Sequence, residues 1–70
     1  MKSVVANMTG SVWKLVVDIG DHVTSGQEVA ILESMKMEIP ITAEVDGIVK
    51  ELKVKEGDFI NEGDVIAILE

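Results

Sequence analysis

Seventy residues make one small domain, near the lower size at which a chain buries enough surface to fold unaided. Without cysteine, no disulfide or thiolate metal site supplements the core. The formal charge of −7, with six scattered lysines (2, 14, 36, 50, 53 and 55) as the only Lys/Arg cations, excludes a nucleic-acid partner and makes an anionic membrane a poor one. No apolar run reaches membrane-spanning length, and the default expectation is a cytoplasmic protein. The 47% hydrophobic content is mostly Val, Ile, Leu, Ala and Met, with Trp13 and Phe59 as the aromatics. Such β-branched bias suits strands in a thin sandwich better than helices.

In chain order, a first strand is predicted over residues 3–6. A second, over 12–17, ends at the turn pair Gly20-Asp21. A brief extended piece, His22-Val23, leads to another turn at Thr24-Ser25-Gly26 and a wholly apolar run over 29–32, expected to be buried on both sides. The chain then repeats itself. Residues 10–33 align without a gap on residues 47–70 at a constant offset of 37, with eleven of 24 positions identical. Strands follow at 38–43, 49–54, 59–60 and 65–69, with Ala6 matching Ala43. Self-similarity constrains the whole fold. A unit present twice implies two halves (1–33 and 38–70) related by an approximate twofold axis and joined by a hairpin over 34–37. The reading is one all-β domain over 1–70, a flattened eight-stranded barrel or sandwich without helix.

Four details sharpen this picture. Val12 has the opposite parity to Leu15 and Val17, and Val49, Leu52 and Val54 repeat the conflict, so a bulge or strong bend is expected near Trp13 and Lys50. Pro40 is acceptable on an edge strand. His22 matches Phe59 and is read as a packing residue with a polar edge; Met8 is read as a core gap-filler.

The junction Glu33-Ser34-Met35-Lys36-Met37-Glu38 is where local rules break. The chain must reverse within 34–37, yet Met35-Lys36 lacks the glycine or Asn-Gly that tight hairpins use to reach positive φ. A two-residue loop also sets Glu33 opposite Glu38, and facing like charges are unfavourable. Two thioethers beside the amine add exposed apolar surface. A hairpin lysine is ordinarily just solvated, and Lys14 and Lys53, also flanked by apolar residues, should simply point outward. Lys36 differs in being the junction residue without a counterpart 37 positions on. Rules broken in one place point to function, here an amine displayed for modification. No catalytic constellation is present, and His22 has no second His or Cys with which to bind a metal.

These residues resemble the biotinyl/lipoyl attachment domains. Residues 33–38 resemble the biotin acceptor motif Ala-Met-Lys-Met, with Ser34 replacing the alanine. Met8-Thr9-Gly10-Ser11-Val12 resembles the family's opening Met-Pro-Gly-x-Val, with Asn7 and Thr9 replacing two prolines. The similarity covers essentially the whole chain and is nearest to the small stand-alone attachment proteins, an excised carrier domain being the other expectation. It lacks the inserted loop of some acetyl-CoA carboxylase carriers, because residues 18–28 match their repeat partners without a gap. The resemblance implies a barrel-sandwich hybrid fold with the termini and the lysine turn at opposite ends. It implies covalent biotin on Lys36, an arm positioned by Met35 and Met37, and Glu33 (with Ser34 in the motif) recognised by a biotin protein ligase. It further implies a non-catalytic carboxyl carrier serving biotin carboxylase and carboxyltransferase components. Lipoate, alone or in dual use with biotin, is the alternative cofactor, although lipoyl domains typically carry Asp-Lys-Ala around their lysine. An unmodified β interaction module is the alternative of another class.

Overall fold

The computed structural model describes residues 2–70; Met1, the first residue of the first copy, lies outside the described residues. Eight strands follow in order: β1 (Lys2–Val5), β2 (Gly10–Leu15), β3 (His22–Val23), β4 (Glu28–Ser34), β5 (Met37–Thr42), β6 (Gly47–Leu52), β7 (Phe59–Ile60) and β8 (Val65–Leu69). They form two four-stranded antiparallel sheets, β1-β8-β6-β3 and β5-β4-β2-β7. Each sheet takes two strands from each copy of the repeat, so neither copy closes a core alone.

The exchange is visible bond by bond. The Ala6 N–H donates to the Asp64 carbonyl at 2.9 Å, and its repeat mate Ala43 donates to Gln27 at 2.9 Å. The Val12 N–H donates to Asp58 at 2.7 Å, and Val49 donates to Asp21 at 2.9 Å. Every one of these bonds joins one copy to the other.

The core obeys the same symmetry. Among the described residues, its sixteen buried apolar residues are eight pairs at an offset of 37: Val4/Ile41, Ala6/Ala43, Val12/Val49, Val17/Val54, Val23/Ile60, Val29/Ile66, Ala30/Ala67 and Leu32/Leu69. Burying one such aliphatic side chain contributes about 2 kcal/mol, so the duplicated positions are what hold the two layers together. Neither aromatic residue belongs to this core: Trp13 is 49% and Phe59 67% exposed.

The parity conflict resolves as expected. The β2–β4 register shifts between Val12 and Lys14, and the β6–β8 register between Val49 and Glu51. The extra residue in each case is Trp13 or Lys50, which lets Val12 and Leu15, and likewise Val49 and Leu52, all turn inward. Regular pairing stops at Leu15 and Leu52 rather than at residues 17 and 54, although Val17 and Val54 still reach the core.

Two expectations need correcting. The runs 29–32 and 65–69 are not buried on both faces; Ile31 and Ile68 are half-buried on the outer surfaces because nothing is layered over them. Val29 and Ala30 are nevertheless both fully buried, since the β4–β5 register shifts between Glu28 and Ala30. His22 does not pack: it is exposed, as is Phe59, because the first residue of each two-residue strand faces outward and only Val23 or Ile60 faces in. Met8 does pack against the core, and Pro40 lies on the edge strand β5.

Candidate functional site

Four turns share one construction. In the turn over 18–21, the Asp21 N–H donates to the Asp18 carbonyl at 3.0 Å and the Asp21 carboxylate accepts the Asp18 N–H at 2.8 Å. Gly20 takes the third position at φ +95°, matched by Gly57 at +96° in the other copy. Positive φ at that position is what glycine supplies without steric cost. Turns over 24–27 and 61–64 follow the same plan.

The connection between β4 and β5 follows a different one. Ser34 pairs with Met37 and Glu33 with Glu38, leaving Met35 and Lys36 as a two-residue loop. Both adopt positive φ, 51° and 65°, and among the described residues no other non-glycine does so. Positive φ at both central positions is the type I′ arrangement, whose twist matches that of the flanking strands. For L-residues it costs about 1–2 kcal/mol each, roughly 2–4 kcal/mol for the turn. A chain of this length has only about 4–10 kcal/mol of net stability.

The strain has a visible result. Lys36 is exposed at the apex and makes no hydrogen bond or ion pair with any described residue. Met35 is 91% and Met37 62% exposed, so neither thioether fills the core. Ser34 is half-buried at the base of the turn, and Glu33 is exposed beside Glu38. All five residues singled out from the sequence (Glu33, Ser34, Met35, Lys36 and Met37) therefore share one hairpin. Among the described residues none bonds to the amine. The arrangement is an accessible primary amine at the tip of a tight turn.

Gly10 seats this hairpin. A Cβ there would lie 2.7 Å from the Glu33 carbonyl oxygen and 3.3 Å from Ser34 Cβ, so only glycine lets β2 approach the base of the turn so closely. Its mate Gly47 makes the same kind of approach to Leu69, at 2.9 Å. Identity of the two glycines across the repeat is the sequence signal for this supporting role.

The hairpin and the terminal strands occupy opposite ends. β1 pairs with β8 from Lys2↔Leu69 up to Val5↔Val65. From there the chain runs back to Ile60, which pairs with Gly10 beneath the lysine turn. The molecule is elongated along one axis, 32 × 19 × 18 Å.

Comparison with known proteins agrees with this geometry. A family model described as "Biotin-requiring enzyme" matches residues 2–69. The "Biotin/lipoyl attachment protein" of Bacillus subtilis (strain 168) is 64% identical over 41 residues, which are 59% of this chain and 56% of that protein. The "Biotinylated protein TB7.3 homolog" of Mycobacterium leprae (strain TN) is 49% identical over 43 residues, 61% of each chain. The matched segments thus span little more than half of these curated relatives. The crystal structure of the Kluyveromyces lactis urea carboxylase is similar over 99% of this chain, with a TM-score of 0.91 and 36% identity, and the match occupies 6% of that larger chain. Since the family model spans nearly every residue, this chain belongs to the family of biotin-requiring enzymes, as a biotin/lipoyl attachment domain.

Proposed function

We propose that this protein is a biotin carboxyl carrier, acylated on Lys36 by a biotin protein ligase and shuttling a carboxyl group between biotin carboxylase and carboxyltransferase sites. The observation that carries this reading is Lys36 itself: an exposed amine without a partner among the described residues, at the apex of a two-residue turn strained at both positions. A free carboxylic acid does not acylate an amine unaided, and among the described residues none bonds to the Lys36 amine. Amide formation therefore requires a ligase that activates the acid and takes the proton. Acylation removes one positive charge, so the formal charge goes from −7 to −8.

The residues present fit the group. Lys36 supplies the amide nitrogen, Met35 and Met37 give the base of the arm an apolar footing on either side, and Glu33 with Ser34 marks the hairpin for the ligase. When bound, biotin supplies the ureido ring that carries an activated carboxyl group. The rest falls to the scaffold. A rigid sheet fixes the position of one lysine among six. A tether to that point raises the local concentration of the carried group to the millimolar range at each site it visits. The exposed methionines favour biotin over lipoate. We assign the carrier to the cytoplasm, beside the carboxylase components it would serve.

Intact mass after incubation with biotin, ATP and a biotin protein ligase tests the reading. A gain of one biotinyl group, absent in Lys36→Ala, is expected. Equal labelling of Lys36→Ala, or no gain in either protein, refutes it.

A further inference from the structure

The repeat provides an internal control for surface residues outside the 34–37 hairpin. Core positions are apolar in both copies, so the fold demands them. Several exposed apolar positions are not: Trp13 faces Lys50 in the alignment, Val16 faces Lys53, Ile19 faces Glu56, Ile48 faces Ser11 and Phe59 faces His22, whereas exposed Val45 faces the apolar Met8. A residue that one copy replaces by Lys or His at the same place in the same fold is not there for stability.

Two of these residues fall together on the sheet that carries the lysine hairpin. Phe59 on β7 pairs with Ser11 on β2, and Ser11 pairs with Glu33 on β4, which pairs with Glu38 on β5. Trp13 is two residues along β2 from Ser11, and the Gly57 N–H bonds to the carbonyl of Val12 beside it. Diagonal neighbours on adjacent strands lie about 7–8 Å apart, within reach of aromatic side chains. Half-buried Ile31 and exposed Pro40, paired across β4 and β5, extend the apolar surface. The symmetry-related face, on β3 and β6, carries His22 and Lys50 instead.

We propose that the outer face of the β5-β4-β2-β7 sheet, centred on Phe59 and Trp13, is the surface on which the biotin protein ligase seats this chain. The proposal rests on the reading of Lys36 as a biotin acceptor. Two considerations select the ligase as occupant. A ligase must bring the Lys36 nitrogen itself to its reaction centre, and the lysine stem is short, so the protein body has to lie against the enzyme. Carboxylase sites are reached through the long arm and need no such contact. A standard interface covers about 800 Å² on each partner, a disc of roughly 16 Å radius. Phe59 is two strand spacings, about 10 Å, from the Glu33 position at the hairpin base, inside a footprint that includes the lysine. Aromatic anchors within such a footprint are the residues that most often dominate binding. The acidic pair Glu33 and Glu38 at the edge of the patch calls for a basic rim on the ligase.

The test uses the whole unmodified protein and a purified biotin protein ligase, with Trp13→Lys and Phe59→His. Each variant receives the side chain that the other copy already accommodates. Circular dichroism and thermal midpoints near wild type are expected. The KM for the carrier rises about tenfold for each variant, kcat stays within twofold, and the product still gains a single biotinyl group. The reciprocal variants His22→Phe and Lys50→Trp, on the opposite sheet, leave KM within twofold. Wild-type KM for Trp13→Lys and Phe59→His, with Lys36 labelled normally, overturns the docking surface and leaves the acceptor reading standing. A wild-type chain that takes no biotin overturns both. An unchanged ligase KM with weakened binding to a biotin carboxylase assigns the face to another enzyme and overturns the proposal as well.

Discussion

Replacing Met35-Lys36 by Asn-Gly should make the protein substantially more stable while removing the Lys36 amine. Both residues sit at positive φ, 51° and 65°, at about 1–2 kcal/mol each for L-residues with a Cβ. Asparagine tolerates the left-handed region better than methionine, and glycine occupies it freely. Against this relief of roughly 2–4 kcal/mol stands the greater freedom of glycine in the unfolded chain, about 0.5–1 kcal/mol, together with the residual cost of an asparagine in the first loop position. The net gain for Met35→Asn with Lys36→Gly is about 2 kcal/mol. For a domain of this size each kcal/mol moves the midpoint by about 4–8 °C, so Tm should rise by roughly 8–16 °C. Thermal unfolding followed by far-UV circular dichroism measures it, with urea midpoints as a second reading. Lys36→Ala removes the amine but keeps a Cβ at the strained position, so it should leave Tm within a few degrees of wild type. A double variant with native strand content and an unchanged or lower Tm would show that the turn stores no strain, and the link between strain and display would fail.

Other perturbations separate position from stability. Gly10→Ala forces a Cβ to 2.7 Å from the Glu33 carbonyl, and Gly47→Ala to 2.9 Å from Leu69 Cβ. Each should lower stability by about 1–3 kcal/mol, but in the folded protein only Gly10→Ala should slow Lys36 biotinylation, because only Gly10 contacts the hairpin; equal labelling rates would remove its seating role. Leu32→Ala, at a side chain 0% exposed between the sheets, should cost about 2–5 kcal/mol and leave a largely unfolded chain at 37 °C, seen as loss of the sheet signal. Met35→Asp with Met37→Ala should shift labelling from biotin toward lipoate when both ligases are supplied, read by intact mass; unchanged biotinylation would show that the methionines do not discriminate.

Much of the fold is legible because duplication writes each structural requirement twice. Valine at 12 and 49, alanine at 6 and 43 and leucine at 32 and 69 are core positions readable from the repeat alone. The clash of parity around Trp13 and Lys50 locates both bulges. The hairpin is legible for the opposite reason, as the only connection that repeats nowhere. What the repeat does not reveal is the environment of residues whose partners lie on the other copy. His22 reads as packed because its mate is Phe59, yet the pair share exposure rather than burial. A two-residue strand offers only one inward position, already taken by Val23 or Ile60. The contact between Gly10 and the hairpin base depends on how closely β2 approaches β4; the repeat marks the position by its Gly47 mate but does not say what the glycine touches.

The symmetry also explains why the strain has been retained at one end. β4 with β5, and β8 with β1, are the same strand pair: Ala30↔Ile41 repeats Ala67↔Val4, and Leu32↔Ile39 repeats Leu69↔Lys2. The β8–β1 pair holds its register without a hairpin between its strands, so ladder and core suffice to fix that register. The β4–β5 pair would pair equally well across a longer, glycine-containing loop. Doubling a loop costs only about 0.6 kcal/mol, less than the roughly 2–4 kcal/mol stored in two left-handed L-residues. Pairing alone therefore gives no reason to keep Met35 and Lys36 where they are. A longer loop would, however, let the amine wander over several ångströms, and enzymes that act on a bound group lose rate steeply with such misplacement. The tight turn trades stability for one fixed position of Lys36, and that is the property the proposed carrier would need at its acceptor.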